Sequence, residues 1–267
     1  MTEPHASTQT WPLTRLGLKV LDLSPCLDYY THLGLSIIRE QNAEGTVALG
    51  VGSKELLSLR VLPGGHPRPS RTAGLFHFAL LVPSEVELAS FLRHCLTQHI
   101  PLVGASDHLV SQALYLQDPE GNGIEVYADR PRESWHWQKG QLQMDTLPLN
   151  SEALLKQAQP FAGFSPQLRL GHMHLNVGDL QRSAAFYQEL GMEPTVGYAG
   201  QASFLSWDGY HHHLGINIWA GRNVHPVEPG VSGLDFFEIV RPQLASGTLE
   251  DPDGVTVIVK NPKASSA

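Results

Sequence analysis

Three consecutive histidines, His211, His212 and His213, stand inside the stretch GYHHHLGINIW, far from either end of the chain. Imidazole exchanges protons near neutral pH and is the commonest nitrogen ligand for metals. With Ile216, Ile218 and Trp219 following, the run reads as a β-strand, whose side chains alternate between two faces. His211 and His213 then share one face and His212 takes the other, so at least one imidazole points inward. An inward histidine is either a hydrogen-bonded core residue or a functional one, and both readings stand on this stretch alone.

Other familiar chemistries find no support. Cys26 and Cys95 are the only cysteines and form no CxxC, which argues against a disulfide framework and a thiolate zinc site. LGVGSKEL lacks the spacing of a phosphate-binding loop, and neither GxSxG nor GxGxxG occurs in a fitting context. A net charge of -8 counts against nucleic acid or an anionic membrane as the main partner. No apolar run is long enough to span a bilayer. The start MTEPHASTQTWPL has neither the basic nor the apolar region of a signal peptide, which predicts a cytoplasmic protein.

The elements that position the histidines come from an internal repeat. LKVLDLSPCLDYYTHLGL (18–35) matches LNVGDLQRSAAFYQELGM (175–192) in register, and the same register carries Gly52 onto Gly209. Each copy reads as strand, helix, then further strands. The helix is drawn by apolar spacing through Phe186 and Leu190 and stops at Gly191, a residue suited to a left-handed cap. A second pair alternates with the first: GLFHFALLVPSE closing in LYLQDPEGNGIEVY, and GLDFFEIVRPQ closing in LEDPDGVTVIV. Both end in a DP-x-G turn feeding a last strand. The last copy is shorter and is expected to lack its helix. At 267 residues there is ample chain for one large or two smaller domains. The reading is an N-terminal half, 1–130, with modules 14–65 and 72–130; a linker, 131–167; and a C-terminal half, 168–267, with modules 168–224 and 231–262. The SEALLKQAQ part of the linker is expected to form a short helix.

These modules resemble the vicinal oxygen chelate superfamily, which includes glyoxalase I, bleomycin-resistance proteins and extradiol ring-cleaving dioxygenases. The resemblance is closest to the catechol 2,3-dioxygenase-like branch. It is carried by GLFHFALLVP, DHLVSQALYLQDPEGNGIEVYADRPRESW, GHMHLNVGDL, GYHHHLGINIWAGRN and SGLDFFEIV. GNGIEVYADRP and YHHHLGINIWAGRN are long and specific, whereas DPxGN is common throughout the superfamily. The resemblance implies an α+β fold of four βαβββ-type modules, the fourth truncated, forming paired half-open β-barrels of the vicinal oxygen chelate type.

In that superfamily a metal sits in the barrel mouth, held by the first and last strands of paired modules. First-strand positions fall here at Arg15, His77, His172 and Phe236, and last-strand positions at Glu125 and Ile258. Arg15, Phe236 and Ile258 cannot ligate, leaving His77, Glu125 and His172 as the implied metal ligands; His174, on the same face as His172, is an alternative or a supporting residue. Two histidines and a carboxylate form the facial triad of non-haem Fe(II) oxygenases. Pairing module two with three, and one with four, assembles the triad; pairing one with two, and three with four, does not. The first pairing is preferred because it assembles the triad, with the second left open here.

The same resemblance gives the triple histidine a role, that of a neighbour taking the catechol proton. His213 is the first choice, sharing a strand face with Asn217 and Trp219; His212 is the second, and His211 reads as a surface residue. Tyr115 matches a substrate-binding tyrosine, with packing as its plainer reading, and His108 is placed on the pocket rim. Trp135 and Trp137 are either a pocket entrance or a packing anchor. The implied activity is an Fe(II)-dependent extradiol dioxygenase of aromatic degradation, with a small aromatic diol and O2 as partners and a homo-oligomer as a further assembly open to it. Two rival readings use the same scaffold: a glyoxalase-like lyase or isomerase on Zn(II) or Ni(II), and a protein that binds a small aromatic without catalysis. Mn(II) is the other metal compatible with the triad. Fold alone does not choose among them.

Overall fold

The structure, a computed structural model, describes residues 11–198 and 200–263. Module one contains β1 (Leu13–Val20), α1 (Leu23–Leu33), β2 (Ser36–Arg39), β3 (Thr46–Val51) and β4 (Lys54–Val61). Module two contains β5 (Gly74–Val82), α2 (Glu85–Thr97), β6 (Gly104–Asp107), β7 (Ser111–Gln117) and β8 (Gly123–Asp129). The linker carries three two-residue strands, β9 (Trp137–Gln138), β10 (Gln141–Leu142) and β11 (Leu147–Pro148), then the short helix α3 (Ser151–Leu155). Module three contains β12 (Arg169–Asn176), α4 (Leu180–Glu189), β13 (Glu193–Tyr198), β14 (Ala202–Ser206) and β15 (Leu214–Asn217). Module four has β16 (Gly233–Val240), β17 (Gly247–Glu250) and β18 (Thr256–Lys260), with no helix between β16 and β17.

Local chemistry sets the helix ends. Asp22 accepts from the Ser24 amide at the start of α1, and Asp179 accepts from the Gln181 and Arg182 amides at the start of α4. α1 stops at Gly34, whose φ of 115° is a conformation that favours glycine. α1 buries one face, through Cys26, Tyr30 and Leu33.

Strand pairing crosses the halves of the chain. One large sheet runs β17-β18-β16-β1-β4-β3-β2, joining modules four and one; a second runs β11-β6-β7-β8-β5-β12-β15-β14-β13, joining modules two and three; β9 and β10 of the linker pair as a small two-stranded sheet. The central seams, β1 with β16 and β5 with β12, are antiparallel. The main hydrophobic core draws on both large sheets and on the helices. Where modules one and four meet, Arg15 pairs with Glu55 at 2.8 Å and Glu238 at 3.3 Å, under the Phe236 ring at 5.2 Å. An arginine and an aromatic ring therefore occupy that seam. Asp235 is engaged by Arg60 at 2.7 Å.

One local expectation fails. His211, His212 and His213 do not lie in a strand: β14 ends at Ser206 and β15 begins at Leu214. The chain between them turns through Asp208 and Gly209, with φ values of 59° and 67°. Only His213 carries ladder bonds, donating its amide to Leu205 and accepting from Met173. The side chains of this run therefore do not alternate between two sheet faces.

Candidate active site

The site begins as one row across four strands of the nine-stranded sheet. His172 on β12 lies opposite Ala79 on β5, Ala79 opposite Glu125 on β8, and Glu125 opposite Tyr115 on β7. His77 lies two residues before Ala79 on β5, hence on the same face. Ala79 has a small side chain, so the larger ones around it can converge. A register shift between Leu170 and His172 leaves Gly171 as the extra residue, and bulges of this kind re-aim the side chain beside them. Gly171 is required there, since a Cβ would meet the Tyr127 hydroxyl at 2.1 Å.

The result is a tight triangle. His77 Nε2 and His172 Nε2 each lie 3.1 Å from Glu125 Oε2, and 3.3 Å from each other. All three residues are buried. Burial pushes the Glu125 carboxyl pKa up, but the charge and hydrogen bonds of His172 and His77 outweigh it and hold the group well below its ordinary value. Burial also lowers His172 to about 4. A carboxylate and two imidazole nitrogens sharing one point are the donor set that a divalent cation needs. The residues fit such an ion. His174 stands apart: its Nε2 pairs with Asn217 Nδ2 at 3.0 Å, while its ring lies 4.9 Å from that of His77. That places it beside the triangle, as support.

The triangle opens into a cavity of about 860 Å³. Phe76, Phe204 and Trp219 supply much of its wall, Tyr198 and Met144 belong to the lining, and Arg68 is the guanidinium within it. Arg68 donates to the Leu75 carbonyl. Tyr115 and His108 both line the cavity, with the phenol oxygen 2.6 Å from His108 Nε2. His108 Nδ1 is held by the Asp145 carbonyl at 2.8 Å, which ties the site to the linker. Burial, with the Glu125 charge adding to it, raises the Tyr115 phenol well above its usual range.

The three histidines separate. His212 lines the cavity, its ring 4.1 Å from that of His172. His213, the first choice from the sequence, does not line it. The His213 ring is packed between Trp11 at 5.1 Å and Tyr210 at 4.8 Å, and its Nδ1 accepts from the Trp207 amide at 3.2 Å. It shares no strand face with Asn217, which turns to His174, or with half-exposed Trp219. His211 is not a surface residue: it is fully buried against Asp129, with Nε2 2.9 Å from Oδ1. The turn at Asp208 and Gly209 causes all three reassignments. Trp135 is a packing anchor, in a buried cluster with Val110, Leu142 and Tyr210, whereas Trp137 is exposed.

Phe76, Phe204 and Asp129 are not among the residues expected from the sequence. Asp129 stands inside the specific EVYADRP stretch, which was the available signal; Phe76 and Phe204 carry none in one sequence.

A family model described as the Glyoxalase/Bleomycin resistance protein/Dioxygenase superfamily matches residues 13–126 and 169–237. The chain is 39% identical over 249 residues to a protein of Bacillus subtilis (strain 168) described as Catechol-2,3-dioxygenase, covering 91% of this chain and 86% of the relative. In fold it is similar to glyoxalase I from Zea mays, with a TM-score of 0.55 at 17% identity, covering 93% of this chain and 92% of the other. It is similar also to the cppA protein from Streptococcus pneumoniae TIGR4, with a TM-score of 0.57 at 15% identity, covering 93% and 99%. Among the described residues, no helix is long and apolar enough to cross a membrane.

Proposed function

The chain belongs to the glyoxalase/bleomycin resistance/dioxygenase superfamily, and on that premise we propose that it is an Fe(II)-dependent extradiol dioxygenase of catechol-type diols. The observation that carries this reading is the convergence of His77, Glu125 and His172 at the floor of an aromatic-walled cavity. Two imidazoles and one carboxylate would hold the ion and leave its cavity side open. Bound there, Fe(II) would supply Lewis acidity toward the diol oxygens and an electron path to dioxygen.

The protein's own residues do the rest. Phe76, Phe204 and Trp219 offer faces and edges to an aromatic ring and exclude water around it. The Tyr115 phenol stays protonated in its buried setting; with His108 Nδ1 donating to the Asp145 carbonyl, its one O–H goes to His108 Nε2, and its oxygen lone pair is left to accept from a substrate hydroxyl. His108 pairs with that phenol and fixes its direction. His212, rather than His213, is the imidazole placed to accept a hydroxyl proton from the bound diol. Cleavage beside a hydroxylated carbon would place both atoms of O2 in a ring-opened semialdehyde acid, so no external reductant is needed.

Support against the lyase reading comes from the ligand set, since the triangle holds a single carboxylate. Keeping a full triangle also argues against a binding protein without catalysis. The test is anaerobic loading with Fe(II), addition of catechol and then air, following oxygen uptake and near-visible absorbance together. Stoichiometric uptake with a yellow product is expected. A protein that binds Fe(II) yet consumes no oxygen with any of several catechols would sink the reading.

A further inference from the structure

A hydrogen-bonded chain leaves the cavity behind His212. His212 Nδ1 lies 2.7 Å from His211 Nδ1, and His211 Nε2 lies 2.9 Å from Asp129 Oδ1. The Tyr210 hydroxyl donates to Asp129, at 2.9 Å from Oδ2, and the Tyr127 hydroxyl lies 2.7 Å from that of Tyr210. The two imidazoles are buried, while the Asp129 side chain is one-quarter exposed, at 25%.

The donors and acceptors in this chain can be assigned one at a time. An ionised carboxylate only accepts, so the proton between Asp129 and His211 belongs to His211 Nε2. A neutral imidazole carries one N–H, so His211 Nδ1 is then a lone pair. A lone pair facing His212 Nδ1 at 2.7 Å requires that nitrogen to be the N–H. Tyr210 donates to Asp129, which leaves its oxygen to accept from Tyr127, and every group in the chain is satisfied.

We infer that Asp129 and His211 are positioning residues that fix the tautomer of His212, so that its Nε2 meets the cavity as a lone pair. Asp129 ends module two and His211 belongs to module three, so the device exists only where those modules pair. A rotating or mixed-tautomer histidine would present an N–H to the diol for part of the time and could not take its proton. The consequence for catalysis rests on the dioxygenase reading; the tautomer itself does not.

The test uses full-length protein labelled with 15N-histidine, metal-free and then zinc-loaded, near neutral pH. Long-range proton–nitrogen correlation distinguishes protonated from lone-pair ring nitrogens. The expected spectrum has His212 protonated at Nδ1 and bare at Nε2, and His211 the reverse. His211→Asn retains an acceptor near the Nδ1 position and is expected to keep the His212 tautomer. His211→Leu removes it and is expected to give a mixed or inverted tautomer with metal affinity unchanged. Where catechol turnover is measurable, His211→Leu should lower kcat about tenfold or more with little change in KM, and His211→Asn should recover most of it. A wild-type His212 protonated at Nε2, or a His211 protonated on both nitrogens, overturns the inference. The expected tautomers in a protein that consumes no oxygen would leave the inference standing and remove the dioxygenase reading.

Discussion

The Tyr30 hydroxyl donates to the Asp118 carboxylate at 2.8 Å, inside the core, across 88 residues of chain. Tyr30 belongs to the helix of module one, and Asp118 opens the DP-x-G turn of module two, in the other sheet. The relationship repeats in the second half, where Tyr187 of α4 donates to Asp251 at 2.8 Å. Each aspartate also accepts backbone amides of its own turn. The repeat thus carries a bond that ties one sheet to the other twice. Tyr30→Phe should cost about 1.5–3 kcal/mol, the range for hydrogen bonds to charged groups, and Tyr187→Phe a similar amount. Urea unfolding of the metal-free protein measures both, and a loss under about 0.5 kcal/mol for each would show the bonds to be incidental.

Removing a corner of the triangle should abolish metal binding before it harms the fold. His77→Ala, Glu125→Gln and His172→Ala are each expected to weaken Fe(II) affinity at least about 100-fold, by analogy with the loss from even supporting residues. Calorimetric titration with Fe(II) under anaerobic conditions reads this directly. Chelation of the wild type should stop oxygen uptake, and re-addition of Fe(II) should restore it.

The two adjacent histidines should divide sharply in kinetics. His212→Ala is expected to lower kcat by about 10²–10⁴, the usual worth of a positioned general base. His213→Asn keeps an acceptor for the Trp207 amide and should leave kcat within about threefold while lowering stability by about 1 kcal/mol. The reverse ranking would return the catalytic assignment to His213.

Tyr115→Phe leaves the ring and removes the hydroxyl that meets His108. Losing one substrate hydrogen bond of this type should raise KM or lower kcat about 10-fold, with metal affinity unchanged. Steady-state oxygen electrode kinetics separates the two parameters. An unchanged KM and kcat would leave Tyr115 a packing residue.

Acid should unfold the metal-free protein from the histidines inward. Burial holds His174, His212 and His213 well below 6.5, and His172 at about 4. Above pH 6.5 both folded and unfolded chains carry these rings neutral, so they contribute no pH dependence. Below it the unfolded chain takes up protons that the folded chain refuses, and stability falls as pH falls. The slope should reach about 1.4 kcal/mol per pH unit per histidine between pH 6.5 and the folded values. His213→Asn should flatten the profile by about one proton, which chemical unfolding at a series of pH values will show.

Much of the fold was legible because it is repeated. Asp22 and Asp179 cap matching helices, Gly34 and Gly191 end them, and paired DP-x-G turns open the last strands of modules two and four. Those are local signals, and a repeat doubles each of them. His77, Glu125 and His172 were reached only by laying the chain against a family, because nothing local marks three residues so far apart as neighbours.

The triple histidine shows where local reading ends. Period-two alternation holds only within a paired strand, and the positive φ at Asp208 and Gly209 takes the chain out of one. That single turn sent His213 to the tryptophans, His212 to the cavity and His211 to Asp129.

Sequence alone determined the modules, their helix caps and turns, and the residue types available for a metal, since these depend on neighbours within a few positions. Tertiary structure decided which modules share a sheet, that Ala79 leaves room between His172 and Glu125, and which imidazole meets the cavity. Those outcomes depend on register and packing between residues tens to hundreds of positions apart, where burial and hydrogen-bond satisfaction are settled by the whole core at once.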